Sequence, residues 1–212
     1  LIPVVDTSVC FFYIVSAKIQ MQYLIRRQHE LYNLIISRPI MPIYEINNKR
    51  PVIGTGTWVA PSAEIIGDVE IGRDSYIGFG AVIRADFGRI EIGSGTLIEE
   101  NVVIHSGSIV KIGGKVIIGH MAMIHDAIIN DRALVGMKSM ICDGASIGEW
   151  AIVAEQSLVK NNQAIPPAKI FAGSPAREIG ELTERHRSKL ITGQQAYADM
   201  IGQYFKTFKR ID

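Results

Sequence analysis

The 212-residue chain has little cysteine, few aromatic residues and almost no net charge. Its two cysteines, Cys10 and Cys142, have no metal-type spacing, which argues against both a disulfide scaffold and a zinc knuckle. A reducing compartment, the cytoplasm, is therefore the expected location. A formal charge of +1 supplies no basic stripe to displace phosphate counterions, so no nucleic-acid partner is expected. Anionic small molecules stay open. Long apolar runs are missing too. The longest, Val9–Ala17, falls well short of the roughly 20 residues that span a bilayer, and no membrane partner is expected. What the chain does have is a hydrophobic fraction of 48%, enough for a continuous core, and 20 scattered glycines that point to regular turns.

The first forty residues differ from the rest. Their apolar stretch has no basic segment before it, as a signal peptide would require. The chain starts with Leu1, and Met41 opens the run MPIYEI just before the ordered pattern begins. Residues 1–40 are therefore expected to be an over-extended gene start or an added, non-native segment. The competing reading is a genuine segment with a short helix over Leu24–Ile36. The intact mass of protein from its native host decides; retention of all forty residues overturns the first expectation.

From Ile53 the chain steps in sixes. Ile53, Val59, Ile65, Ile71, Ile77 and Ile83 are followed by Ile92, Ile98 and Ile104, then Ile112, Ile118 and Ile124. The ladder then runs through Ile129, Val135, Ile141, Ile147, Val153 and Val159. Glycine often follows the aliphatic, as in Ile71-Gly72 or Val135-Gly136, and a small residue such as Ala63, Ser75 or Ala133 stands four positions on. A period of six is neither the 3.6 of a helix nor the 2 of a half-buried strand. It suits a coil of three short strands with one aliphatic pointing inward per face, stacked on the next coil about 4.8 Å away. The glycine is expected to let the backbone turn.

The ladder breaks three times. The step is nine at Ile83–Ile92, eight at Ile104–Ile112 and five at Ile124–Ile129. Counting faces puts Ile83, Ile104 and Ile124 on one side of successive coils. Arg84, His105 and His125, which follow them, then form a column at a position usually held by a small residue. His120 follows Ile118-Gly119 on the preceding face and should point to a different edge. Two histidines one coil apart can reach one divalent metal, zinc first, with iron or cobalt as alternatives. A third ligand from an adjacent subunit would complete a three-histidine site. The bland alternative, polar surface histidines, is weak for three of only five histidines within twenty-one residues. His29 and His186 lie outside the ladder and read as solvated.

The runs RADFG, IEENVVIH, IGHMAMIHD, VGMKSMICDGASIG and PAKIFAGSPAREI resemble the γ-class carbonic anhydrase family of hexapeptide-repeat proteins, within it the phenylacetate-degradation and carnitine-operon branch. The resemblance covers roughly Met41 to the C-terminus. It implies a left-handed parallel β-helix, a homotrimer, and His105, His120 and His125 as metal ligands, the second from a neighbouring subunit. Arg84 and Asp86 match a charged interface pair near the metal. The chemistry implied is attack of metal-activated hydroxide on carbon dioxide, a small-molecule substrate. The chain departs from the family pattern at Glu99, usually glutamine, at Phe87, where some members carry an acidic residue, and in the short loop after His105. The expected proton path is thereby removed. Tyr197 matches a tyrosine of the branch and is a weak site candidate; its other reading is an aromatic packing anchor.

The expected layout is thus a β-helix over 41–170 and a strap with a C-terminal helix over 171–212. Pro166, Pro167 and Pro175 suggest the strap. A helix from about Ile179 carries an apolar stripe through Leu190, Tyr197, Ile201 and Tyr204, with Gly193 as a point of bending or division. Besides the carbonic-anhydrase reading, an acyl-CoA thioesterase, a hexapeptide acyltransferase and a non-catalytic trimeric scaffold with a structural metal compete. Acyltransferases of this class use one histidine as a base and carry a long protruding loop, and no insertion here exceeds three residues.

Overall fold

A computed structural model of the chain describes residues 42–211 together with Met21 and Arg27. Apart from those two positions, the expectations for residues 1–40, His29 included, lie outside the described residues. Residues 41–209 form one compact unit.

Short parallel strands build three faces. The first runs through Ile43–Tyr44, the start of Glu64–Ile71, the start of Val82–Ile92, Val103–His105, Met123–His125, Met140–Ile141 and Leu158–Val159. The second runs through Val52–Ile53, the ends of the same two long strands, Ile109–Ile112, Ile128–Ile129, Ser146–Ile147 and Ala164–Ile165. The third runs from Trp58–Val59 through Tyr76–Ile77, Leu97–Ile98, Ile117–Ile118, Leu134–Val135 and Ile152–Val153 to Lys169–Ala172. This is the parallel solenoid that the period implied and the fold class that the resemblance implied, a left-handed parallel β-helix of hexapeptide repeats with a C-terminal helix. Every ladder residue from Val59 to Val159 is buried, while Ile53, on the open first coil, is half-covered. Each such side chain contributes about 1.5–3 kcal/mol of burial.

The glycine after the aliphatic has a different task from the one expected. The left-handed turn residue sits three positions after the aliphatic, at Asn101 (φ 58°), Met121 (φ 63°), Lys138 (φ 59°) and Gln156 (φ 57°). The glycine is needed because the next coil is too near for a side chain. A Cβ on Gly136 would stand 2.6 Å from the Glu155 nitrogen, and one on Gly119 would stand 2.9 Å from that of Met137.

The prolines do not end the coil. Ile165 and Phe171 continue the sixes and are buried. Pro166 and Pro167 follow Ala164–Ile165, the last strand of its sheet, where a missing N–H breaks no ladder. The chain then returns on Arg177–Glu181, antiparallel to Lys169–Ala172, where helix had been expected. The helix α1 is Glu184–Thr207. It starts late because Thr183 and His186 form a reciprocal capping box, so His186 is a cap and not a solvated bystander. Gly193 does not divide the helix; α1 is continuous. Its apolar stripe lies on the solenoid, with Ile201 buried and Tyr197, Met200 and Tyr204 packed on the core. Aromatic rings secure it: Trp58 lies 4.7 Å from Tyr204 and stacks on Tyr76 at 5.3 Å. No helix among the described residues is long and apolar enough to cross a membrane.

Candidate metal centre

All three breaks in the ladder fall at one corner of the prism, between the first and second faces. There the strands carry on past the ladder aliphatic, so the following residue stays in register. Ile66 pairs with Arg84, Arg84 with His105, and His105 with His125 on successive coils. Asp126 latches the short loop after His105, its Oδ1 accepting the Ser108 N–H at 2.9 Å.

The two imidazoles face each other, His125 Nε2 standing 3.1 Å from His105 Nδ1. Their other nitrogens are each on a carboxylate: His105 Nε2 is 3.0 Å from Asp86 Oδ1, and His125 Nδ1 is 2.7 Å from Asp143 Oδ1. A carboxylate accepts and does not donate, so each imidazole gives it a proton and turns a lone pair toward the other ring. Two facing lone pairs repel unless a proton or a cation lies between them. Two nitrogens on a tetrahedral metal at about 2.0–2.1 Å stand about 3.3 Å apart, close to the spacing here. The donor set therefore fits a divalent cation, and its carboxylate–histidine pattern is the one that orients metal ligands. His125, Asp126 and Asp143 also bring one donor atom each within 4.8 Å of one another, which concentrates negative charge on the same corner.

Arg84 and Asp86 pair with each other within one chain, and Asp86 continues to His105. Burial raises the Asp86 carboxyl, but hydrogen bonds from His105 and Arg84 outweigh it and leave it below the usual range. Phe87 is 74% exposed, its ring edge-on to that of His105 with the centroids 6.2 Å apart.

His120 is elsewhere, at the corner between the third and first faces. Its Nδ1 is 2.7 Å from Glu100 Oε2 and its Nε2 is 3.1 Å from Glu99 Oε2, which also accepts the His120 backbone N–H. Glu99 is buried, and Tyr197 reaches it from α1. Burial, the largest influence, pushes the Glu99 carboxyl above its ordinary range against the attraction of His120. Burial likewise raises the Tyr197 phenol, with the two glutamates adding to it. Within one chain the structure thus brings together Arg84, Asp86, His105 and His125, and separately Glu99, His120 and Tyr197. The two groups flank the first face, whose outward residues Val103, Met123 and Met140 are exposed and apolar.

Sequence reasoning missed Asp143, Asp126, Glu100 and Tyr76. For the three carboxylates the signal was present two positions after the ladder aliphatic, whereas Tyr76 stands one before Ile77 and reads as core. That count puts Glu100 in the column of His120, and Ser106, Asp126 and Asp143 in a column of their own.

A solenoid of hexapeptide coils with paired histidines at one corner defines the class, a hexapeptide-repeat protein with a candidate metal site. Residues 50–85 match the family described as bacterial transferase hexapeptide (six repeats). The carnitine operon protein CaiE of Escherichia coli K12 is 37% identical over 169 residues, covering 77% of this chain and 84% of that one. Mitochondrial gamma carbonic anhydrase 2 of Arabidopsis thaliana is 35% identical over 82% of this chain. The chain spans 66% of that relative's length and 61% of its paralogue, gamma carbonic anhydrase 1. The crystal structure of a hexapeptide transferase family protein from Anaplasma phagocytophilum superposes with a TM-score of 0.75 at 32% identity, covering 77% of this chain and 98% of that one. The chain belongs to the γ-carbonic-anhydrase-like family of hexapeptide-repeat proteins.

Proposed function

We propose that this chain is the subunit of a homotrimeric metalloenzyme that hydrates carbon dioxide to bicarbonate. His105 and His125 of one subunit and His120 of its neighbour would hold one divalent cation, zinc first, with iron and cobalt as alternatives. The observation that carries this reading is the pair of imidazole nitrogens facing each other at 3.1 Å with both distal nitrogens on carboxylates. The separation of His120 from that pair, at the far edge of an exposed apolar face, supports the sharing between subunits. The compartment in this proposal is the cytoplasm, in keeping with the free thiol of Cys142.

When bound, the cation lowers the pKa of a coordinated water toward about 7. The chain's own residues do the rest. Asp86 and Asp143 aim the two imidazoles and make them stronger donors. Arg84 holds Asp86 in place. Glu99 replaces the expected shuttle: burial pushes its carboxyl above the ordinary range, so it holds a proton more readily than an exposed glutamate, and Tyr197 steadies it.

Hydrolysis or transfer of an acyl group from coenzyme A is the second reading. It is favoured by the exposed Phe87 where a carboxylate would serve carbon dioxide hydration, and by the transferase family of the relatives.

Elemental analysis of protein reconstituted with zinc should find one metal per subunit, and paired assays of carbon dioxide hydration and acyl-CoA hydrolysis rank the two readings. Replacing His105 or His120 by alanine should abolish binding in each pure trimer. Mixing the two variants should restore part of it, because some sites then draw intact ligands from both chains. A complete failure of every mixture would sink the shared site.

A further inference from the structure

We propose that Glu100, anchored by Tyr76, is a positioning residue for His120 that accepts a hydrogen bond from Nδ1–H and leaves Nε2 as the nitrogen presented to a neighbouring subunit. The proposal rests on the shared-site reading and names the part of the chain that would make His120 a competent third ligand.

Tyr76 sits on the strand Tyr76–Ile77, between Trp58–Val59 and Leu97–Ile98 on the third face. It is 1% exposed, the largest fully buried side chain among the described residues. Its ring is fixed from two sides, stacked on Trp58 within 6° of parallel and edge-on to Tyr197 at 5.1 Å. A buried phenol needs an acceptor. The acceptor is Glu100 Oε1, at 2.6 Å. The second carboxylate oxygen, Oε2, is the atom 2.7 Å from His120 Nδ1. Glu100 is thus held at both oxygens, one on a rigid phenol and one on the imidazole.

The coil register makes this reach possible. Glu100 and His120 each stand two positions after a ladder isoleucine, Ile98 and Ile118, which pair on adjacent coils. Both ring nitrogens face a carboxylate, Nδ1 at 2.7 Å from Glu100 and Nε2 at 3.1 Å from Glu99. The closer, phenol-anchored Glu100 is the better acceptor, so the single proton of the neutral ring is assigned to Nδ1 and the lone pair to Nε2. The arrangement repeats, by a different carboxylate, what Asp86 does for His105 and Asp143 does for His125. It also ties the third ligand to the aromatic cluster under α1, which the other two ligands do not touch.

The test uses the full chain and four variants: Glu100→Ala, Glu100→Gln, Tyr76→Phe and His120→Ala. On the metal-free protein, two-bond nitrogen–proton correlation of ¹⁵N-labelled histidine reads the tautomer of His120 directly. The intact chain should show Nδ1 protonated, and Glu100→Ala should move the proton to Nε2. Competition of cobalt(II) against a chromogenic chelator should then find binding about 10- to 100-fold weaker in Glu100→Ala. Glu100→Gln, which keeps an acceptor oxygen, should recover most of that loss, and Tyr76→Phe should fall between it and the intact chain. If Glu100→Ala does not fold, the near-isosteric pair Glu100→Gln and Tyr76→Phe still decides, since a His120 tautomer and a cobalt affinity unchanged in both overturn the proposal. If His120→Ala loses the metal while Glu100→Ala keeps both tautomer and affinity, the positioning role is wrong and the shared site stands. If His120→Ala keeps the metal, the shared site itself is wrong and the proposal falls with it.

Discussion

Two kinds of corner turn this solenoid, and they carry different cargo. At the corner between the second and third faces, the residue after the ladder aliphatic is Gly54, Gly72, Gly93, Gly113, Asn130, Gly148 or Pro166. At the corner between the third and first faces it is Ala60, Gly78, Gly119, Gly136, Ala154 or Ala172, with Glu99 as the long exception. At the remaining corner it is Ile66, Arg84, His105, His125, Cys142 or Lys160. The difference is steric before it is chemical. At the tight corners the next coil's backbone stands where a Cβ would go, 2.6 Å away at Gly136. At the remaining corner the strand continues in register past the aliphatic, as in Met123–His125 against Val103–His105, and a side chain has room to project. His105 and His125 stand where the fold already tolerates bulk. Glu99 breaks the rule at a tight corner, and it is the one buried carboxylate among the described residues.

The sharpest way to break this comparison is to exchange burdens between corners. Gly136→Val puts a branched side chain against the backbone of Ala154 and Glu155. It should destabilise the chain by about 3 kcal/mol or more, or prevent folding, as judged by urea unfolding. His125→Ala, at the equivalent step of the open corner, should shift the unfolding of the metal-free chain by no more than about 1 kcal/mol while removing bound metal entirely. A mild result for Gly136→Val would show that the tight corner can open, and the steric argument would fail.

A smaller effect sharpens the chemistry of the open corner. Asp143→Asn keeps the size of the side chain but weakens its hold on His125 Nδ1, now 2.7 Å away. Metal affinity should fall about 10- to 100-fold with the unfolding midpoint of the metal-free chain nearly unchanged. An affinity equal to that of the unaltered chain would mean that His125 is oriented by its strand alone.

The fold was legible because its period is written many times over. One misplaced aliphatic hardly matters when coils from Val59 onward repeat the same inward residue. The column of Arg84, His105 and His125 was legible for the same reason, since register follows from counting. What counting does not reach is the direction of a side chain between coils. Asp143 lies one coil beyond His125, and nothing in its local run marks it as that ring's partner. Tyr76 looks like a core aromatic and is one; its second task depends on Glu100 being one coil away. The start of α1 was misread because an apolar stripe marks a face and not an end. The end is marked by Thr183 and His186, whose reciprocal hydrogen bonds are a local signal that the stripe obscures. Glycine was misread for a related reason: its φ freedom is the usual argument, whereas here closeness of the next coil decides.

The smallest expected effect concerns the other side of the open corner, where charge serves no ligand. Arg89, on the long strand Val82–Ile92, reaches Asp68, Glu70 and Glu91 at 2.6–3.0 Å, and Lys111 joins Glu91 at 3.5 Å. All are substantially solvated, so Arg89→Ala should cost less than about 1 kcal/mol in urea unfolding, and less still in high salt. The pH dependence has a definite sign. The hydrogen bond from Arg89, the largest influence, holds the folded-state pKa of Glu91 below its ordinary 4.5. Glu91 therefore contributes stability above that ordinary value, and the contribution is lost as pH falls through the lower folded-state value. The gap in stability between the intact chain and Arg89→Ala should accordingly be widest near neutrality and close in acid. A gap that persisted in acid would assign the contribution of Arg89 to packing of its alkyl stem on the strand instead of to charge.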